Sequence, residues 1–336
     1  MTEKIKVIIL STLLTLITAS IGITALISNI FKGSTIYIML SSLIIIIVLI
    51  SFLDIGNIKL KDLIDNQVIK LLSIIFLSFS IIYYLSILGI IINNLFYVIT
   101  PISIIISASL ILITILSINK KIINLNLFFI LGIIISFVFI FFTFLFPKSN
   151  LLLENTSIDS SNIYLYSYII ILVDLIYYKI YFMTKPNKKG SKLLIYSSII
   201  AIIVLSFYTY LDLTITSIHY TNTPFRNILK YLLVLPNNSI YFDLLYLMIV
   251  FLLFLFKILV FGDLLRIMFL IKKNIKNYFL IYLFIFLVGN TIINLITDET
   301  NYLYNLLAIL TLIGICLTIV IGGVRIAKRI YFFNKK

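Results

Sequence analysis

The sequence predicts an all-α integral membrane protein with about ten transmembrane helices. Charged residues make up only 11% of the 336-residue chain, hydrophobic residues make up 62%, and the mean hydropathy is +1.22. A soluble domain carries about 25% charged residues, so this chain has too little charge to cover a water-facing surface. Its apolar residues also come in runs of about twenty, the length that crosses the hydrocarbon core as a helix.

Ten apolar runs follow one another along the chain. They are Val7–Phe31, Thr35–Leu53, Val68–Leu95, Tyr97–Ser117, Leu125–Phe146, Ile163–Thr184, Leu193–Ser217, Phe242–Ile271, Tyr278–Ile296 and Tyr302–Val324. The first run is longer than the core of a typical signal peptide and has no convincing cleavage site, so we expect it to be a span. Because the connections between runs are short, residues 1–336 are predicted to form a single transmembrane domain.

The placement of Lys and Arg predicts the orientation of these spans. If the N-terminus is cytoplasmic and the spans alternate, nearly all basic residues outside the spans fall in cytoplasmic connections. The outer connections then hold only Lys32, Lys148, Arg226 and Lys230. This asymmetry follows the positive-inside rule and predicts that both termini are cytoplasmic in a multi-pass protein of the cell membrane.

Two connections are predicted to contain short helices. In the outer connection between spans seven and eight, Thr223-Pro224 precedes apolar residues at helical spacing, which predicts an amphipathic helix over Thr223–Leu235. The inner connection Asp54–Gln67 is also a candidate for a short helix.

Ionisable residues near the middle of a span are the strongest functional candidates, because a charge at that depth is costly. Asp174 lies near the middle of span six, and Lys257 lies near the middle of span eight. A cross-helix ion pair would relieve the cost and fix helix packing, whereas a water-filled cavity would make the same residues ligand-binding groups. In span one, small residues at 18–24 indicate either close helix packing or a broken helix whose backbone binds a ligand.

Several enzyme classes are disfavoured by the sequence. It contains no phosphate-binding loop and no His-Glu-x-x-His motif, and it has only one histidine and one cysteine, His219 and Cys316. We therefore expect no catalytic residues, no metal site and no cofactor. Its net charge of +14 is distributed over short connections between spans, so we expect no nucleic-acid partner.

The order of these features resembles the amino acid–polyamine–organocation permease architecture, which is LeuT-like. In that architecture, five helices and their inverted repeat surround a midplane site formed by spans one, three, six and eight. The resemblance implies half-repeats at about 7–146 and 163–324. Gly22, Tyr84, Asp174 and Lys257 then fall on the four spans that form the site.

Within that superfamily the chain most resembles the GerAB-type spore germination permeases, the B subunits of nutrient germinant receptors. The resemblance runs through the segment from Lys61 to Leu72, the pair Tyr83-Tyr84 and Ile99-Thr100-Pro101-Ile102. It resumes from Pro224 to Lys257 and Phe261.

This resemblance implies a nutrient-sensing subunit in the inner spore membrane that works with A and C subunits. Its ligand, an amino acid or a similar small nutrient, would bind at Ser20, Gly22, Thr24, Tyr84, Asp174, Tyr178 and Lys257. Span six contains no Gly or Pro, which favours a sensor over a transporter with a second broken helix. The alternatives are a proton-coupled amino-acid transporter of the same architecture and a non-catalytic component of a permease or flippase.

Overall fold

A computed structural model describes residues 44–45, 47–49, 58–96, 169–182, 257–271, 274–295 and 299–333. Within these ranges every regular element is an α-helix, which confirms the predicted all-α class for this part of the chain. The helices are α1 Leu60–Asp65, α2 Gln67–Phe96, α3 Ile169–Phe182, α4 over 257–268, α5 Ile275–Leu295 and α6 Glu299–Phe333.

Two helices are long and apolar enough to cross a membrane. Gln67–Ile87 in α2 supplies 21 suitable residues, and Asn305–Ala327 in α6 supplies 23. Both exceed the roughly twenty residues that a spanning helix needs. They coincide with the predicted spans three and ten.

Helix α5 is apolar on both its buried and its exposed faces. Its buried side includes Tyr278, Ile281 and Ile285. The outward-facing large apolar residues of α5 are Phe279, Leu280, Leu283, Phe284 and Leu287. A helix in water normally keeps one polar face, so this pattern is typical of a helix that faces lipid.

Helices α2, α3 and α6 pack together around Gly314. A side chain at Gly314 would come within 3.6–3.7 Å of Ile169, Val173 and Phe76, which belong to the two neighbouring helices. The buried hydroxyl group of Thr311 in this core bonds to its own helix, by donating to the carbonyl of Leu307 at 2.7 Å. This bond satisfies a hydroxyl group that would otherwise face only apolar side chains.

The connection before span three contains the predicted short helix. It is α1, which is separated from α2 by a single residue, Asn66. The Asn66 side chain accepts hydrogen bonds from the backbone N–H groups of Val68 and Ile69 at 3.0 and 3.2 Å. Asn66 therefore caps α2 and fixes the angle at which the chain enters it.

Helix α4 ends in a Schellman motif that has a leucine where glycine is usual. The N–H of Ile271 donates to the carbonyl of Arg266, and the N–H of Leu270 donates to the carbonyl of Ile267. Leu270 adopts a φ of 57°, in the left-handed region that L-residues with a side chain rarely occupy. The side chain of Leu270 is 70% exposed, so it offsets little of this strain by packing.

Several predicted features lie outside the described residues. They are spans one, four, five and seven, most of span two, the first half of span eight, and the helix over Thr223–Leu235.

We predict that Leu270→Gly raises the free energy of unfolding by about 1 kcal/mol, because glycine adopts positive φ without a steric cost. Thermal unfolding of the purified protein in detergent measures this effect. Leu270→Ala is the matched control, since it removes the exposed side chain but keeps the unfavourable backbone conformation. Equal effects of the two substitutions would contradict the prediction.

Candidate functional site

A buried ion pair joins α3 to α4. Lys257 Nζ donates to Asp174 Oδ2, and the two side chains are 0% and 1% exposed. Both residues lie near the middle of the spans predicted from the sequence. The pair therefore satisfies each charge across a helix–helix contact, which is the arrangement that makes such charges tolerable at membrane depth.

Aromatic rings enclose the lysine in this pair. Lys257 Nζ lies 3.6 Å from the ring centroid of Tyr84 in α2 and 5.2 Å from that of Phe261 in α4. At these distances the negative faces of the rings attract the ammonium group, and the attraction is strongest where water is excluded. Three helices thus contribute to the environment of one charge.

Further aromatic residues surround the carboxylate. Tyr177 and Tyr178 follow Asp174 by about one helical turn and are fully buried. The Tyr177 ring stacks on Phe76 with centroids 5.8 Å apart, and the Tyr178 ring packs against Phe261 at 5.6 Å. The acid and the base therefore lie within an aromatic layer between α2, α3 and α4.

Some polar atoms in this layer have no acceptor or donor among the described residues. Asp174 Oδ1 is one of them, although Oδ2 of the same carboxylate binds Lys257. The hydroxyl group of Ser80 is also buried without a hydrogen-bond partner in this part of the chain. Buried polar atoms without partners cost free energy, and a small polar ligand is one way to satisfy them.

Lys257 and Tyr84 have no exposed surface. A ligand would therefore reach the pair only when the helices separate. A ligand at such a site binds one conformation of the protein better than the other. This difference in affinity is the requirement for a ligand-driven conformational change.

A second polar cluster lies on α4 about 9 Å further along the helix, since six residues separate Lys257 from Asp263 at 1.5 Å each. Asp263 accepts hydrogen bonds from Arg266 at 2.7 Å, from Tyr181 of α3 at 3.1 Å and from Tyr278 of α5. Arg266 also donates to the carbonyl of Ile271 at 2.9 Å. The pair of Asp263 and Arg266 is thus the centre of a contact among three helices.

Next to this cluster, α4 and α5 approach closely at Gly262. A Cβ atom at this position would lie 2.1 Å from the Tyr282 hydroxyl oxygen and 2.8 Å from its Cζ. Tyr282 is buried, and its hydroxyl has no partner among the described residues. Only glycine leaves room for the tyrosine ring at this crossing.

No family model, curated protein or solved structure matches the chain.

Four of the seven residues predicted to bind ligand lie in the described region. The structure brings Tyr84, Asp174 and Lys257 into direct contact and places Tyr178 beside them through Phe261. Ser20, Gly22 and Thr24 lie outside the described residues. Ligand binding at these positions stays a prediction.

Sequence reasoning missed the contributions of Ser73, Ser80 and Phe261. The two serines precede Tyr84 by eleven and four residues, so all three lie on one face of α2. Phe261 follows Lys257 by four residues on α4. This helical spacing was the available signal, but serine and phenylalanine are too common in this chain for spacing alone to identify them.

We predict that Lys257→Met and Asp174→Asn each lower the free energy of unfolding by about 3–5 kcal/mol, because each leaves a buried partner without its counter-charge. The double variant removes both charged groups and should lose much less than the sum of the two. Denaturation of the purified protein in mixed micelles measures all three values. Additive losses would show that the two residues do not interact.

We predict that Gly262→Ala lowers the free energy of unfolding by about 1–3 kcal/mol through the clash with Tyr282. Tyr282→Phe removes the nearest atom and should restore part of this loss. Gly323→Ala is the control, because a Cβ there meets no atom within 4 Å. Equal thermal stability of Gly262→Ala and Gly323→Ala would contradict the close approach.

Proposed function

We propose that this chain is a multi-pass membrane protein of the inner spore membrane and the nutrient-sensing subunit of a germinant receptor. The observation that carries the proposal is the ion pair of Asp174 and Lys257 beneath the Tyr84 ring. The resemblance to GerAB-type permeases places the ligand site on spans one, three, six and eight. Three of those spans supply the side chains of this pair and its aromatic cover.

The chemistry of the pair suits a zwitterionic ligand such as an amino acid. Lys257 is a counter-charge for a carboxylate, and Asp174 accepts from an amino group, with Oδ1 still without a partner in the described region. A ligand that inserts between them replaces one charge-assisted contact with two. It therefore favours the separated helices over the closed arrangement, and the A and C subunits would detect that change.

The continuity of α3 supports sensing over transport. The helix runs without interruption from Ile169 to Phe182, on both sides of Asp174. Transporters of this architecture use a broken helix at the corresponding place to bind substrate and to alternate between states. A sensor requires only two conformations with different affinity for the ligand.

A proton-coupled amino-acid transporter is the second candidate, and the partly unpartnered carboxylate of Asp174 supports it. Buried carboxylates in spans are typical proton carriers. Purified protein in proteoliposomes should then accumulate labelled amino acid under a proton gradient, whereas a pure sensor should not.

We predict that spores carrying Lys257→Ala lose the native dependence of germination on nutrient concentration, because the variant loses both the contact that closes the helices and the counter-charge for the ligand carboxylate. Tyr84→Phe keeps the aromatic ring and should respond almost normally, whereas Tyr84→Leu should not. Loss of optical density after nutrient addition measures the response.

The control variant for this assay is Lys276→Gln, which changes an exposed lysine near the start of α5. Protein levels in spore membranes are compared by immunoblotting. An unchanged nutrient response of Lys257→Ala at a normal protein level would exclude this site.

A further inference from the structure

The ammonium group of Lys257 occupies a position that has the chemistry of a binding site for organic cations. Its Nζ atom donates to a carboxylate oxygen of Asp174. The same atom lies 3.6 Å from the centroid of the Tyr84 ring and 5.2 Å from that of the Phe261 ring. A carboxylate together with aromatic faces is an arrangement by which proteins recognise the ammonium groups of small ligands. Here the ammonium group that fills the position belongs to the protein itself.

The groups that hold this ammonium come mainly from helices other than the one that carries the lysine. Tyr84 belongs to α2 and Asp174 to α3, whereas Lys257 belongs to α4. Only Phe261, one helical turn after Lys257, shares its helix. The hydrogen-bond acceptor and the nearer ring therefore do not depend on α4 for their position in the chain, and they are suited to a cation from another source.

The site selects a primary ammonium group over a quaternary one. A primary ammonium group donates to the carboxylate of Asp174, whereas a quaternary group has no N–H to donate. The distance of 3.6 Å between Lys257 Nζ and the Tyr84 centroid also leaves no space for methyl groups between the nitrogen and the ring. A primary ammonium group on an alkyl chain fits, because the lysine side chain is such a group and is already held there.

One acceptor of the site is not used by the lysine. Asp174 Oδ1 is buried without a hydrogen-bond partner among the described residues, while Oδ2 binds Lys257. An ammonium group has three donors, and one that is not attached to the α4 backbone is free to bond both oxygens. A ligand therefore has a contact available that the lysine does not make.

We propose that Asp174, Tyr84 and Phe261 form a binding site for a primary ammonium group, and that Lys257 fills this site with its own side chain when the helices are closed. Lys257 is then a tethered competitor of the ligand. For the nutrient, and resting on the function proposed above, the ligand must carry a free primary ammonium group. This group takes the place of Lys257 Nζ, and Lys257 becomes available for the ligand carboxylate.

Lys257→Ala tests the proposal, because it removes the competitor and keeps the carboxylate and both rings. The full chain, purified in a neutral detergent, is titrated with n-propylammonium chloride, which supplies the ammonium group and the methylene groups that the substitution removes. The unfolding temperature of Lys257→Ala should rise by at least about 2 °C at about ten times the dissociation constant. The native protein should not respond, because its tethered lysine excludes the amine. No response of the variant, or an equal response of the native protein, would overturn the proposal.

Three controls separate recognition of the ammonium group from simple filling of a cavity. The neutral analogue n-propanol and the quaternary cation tetramethylammonium should not stabilise Lys257→Ala. Met268→Ala shortens another fully buried side chain of α4 and should not respond to the amine. Addition of Asp174→Asn to Lys257→Ala should weaken amine binding at least about tenfold, the loss expected for one charge-assisted contact. Equal stabilisation by n-propanol, or unchanged binding after Asp174→Asn, would contradict an ammonium site.

Lys257→Met is the second variant and is used if Lys257→Ala does not fold. It keeps a stem of nearly the same length and removes the ammonium group, so the ion NH₄⁺ matches the vacated place. Ammonium chloride should raise its unfolding temperature more than sodium chloride at equal ionic strength. Equal effects of the two salts would overturn the proposal.

The nutrient role of the same site has a separate test. Spores that germinate with L-alanine should not respond to N-acetyl-L-alanine, which keeps the carboxylate but has no ammonium group. Equal responses to both compounds would show that the nutrient does not use the ammonium site. The amine titration of the purified variants does not involve germination, so its result stands or fails independently of the proposed function.

Discussion

The need to neutralise charge inside an apolar protein fixes how the central helices meet. Lys257 has no exposed surface, so α4 must present it to Asp174 on α3, and α2 must place an aromatic ring over it. Each of these contacts sets the rotation of one helix about its axis. A misplaced charge in an apolar interior costs several kcal/mol. Electrostatics therefore restricts the rotation of these helices, and the close approach at Gly262 restricts it further.

How much of this arrangement the sequence predicts depends on how unusual each residue is in its surroundings. An acid and a base near the middle of long apolar runs are conspicuous, and their cost already implies a partner, so Asp174 and Lys257 were identifiable. Aromatic residues are not conspicuous in a chain with 22 Tyr and 27 Phe. The contacts of Phe76 and Phe261 depend on helix rotation, which periodicity leaves undetermined when a helix is apolar all round.

The same distinction applies to the helix ends. Asn66 caps α2 in a manner that its residue type favours, and the sequence suggested a short helix before it. The end of α4 shows no such signal, because its left-handed position holds Leu270 instead of glycine or asparagine. Likewise, Asp263 and Arg266 are three residues apart on one helix, but Tyr181 and Tyr278 come from two other helices, and only the three-dimensional structure brings them together.

The two polar contacts between α3 and α4 have a mechanical consequence. Asp174 and Tyr181 are seven residues apart on α3, and their partners Lys257 and Asp263 are six apart on α4, so the helices are fastened at two levels about 10 Å from each other. If only the contact between Asp174 and Lys257 is released, the contact between Tyr181 and Asp263 remains, and the helices can rotate about it. The separation between the two helices would then increase with distance from Asp263. A local exchange of partners at Lys257 would thereby separate α3 and α4 more at the level of Asp174 than at the level of Tyr181.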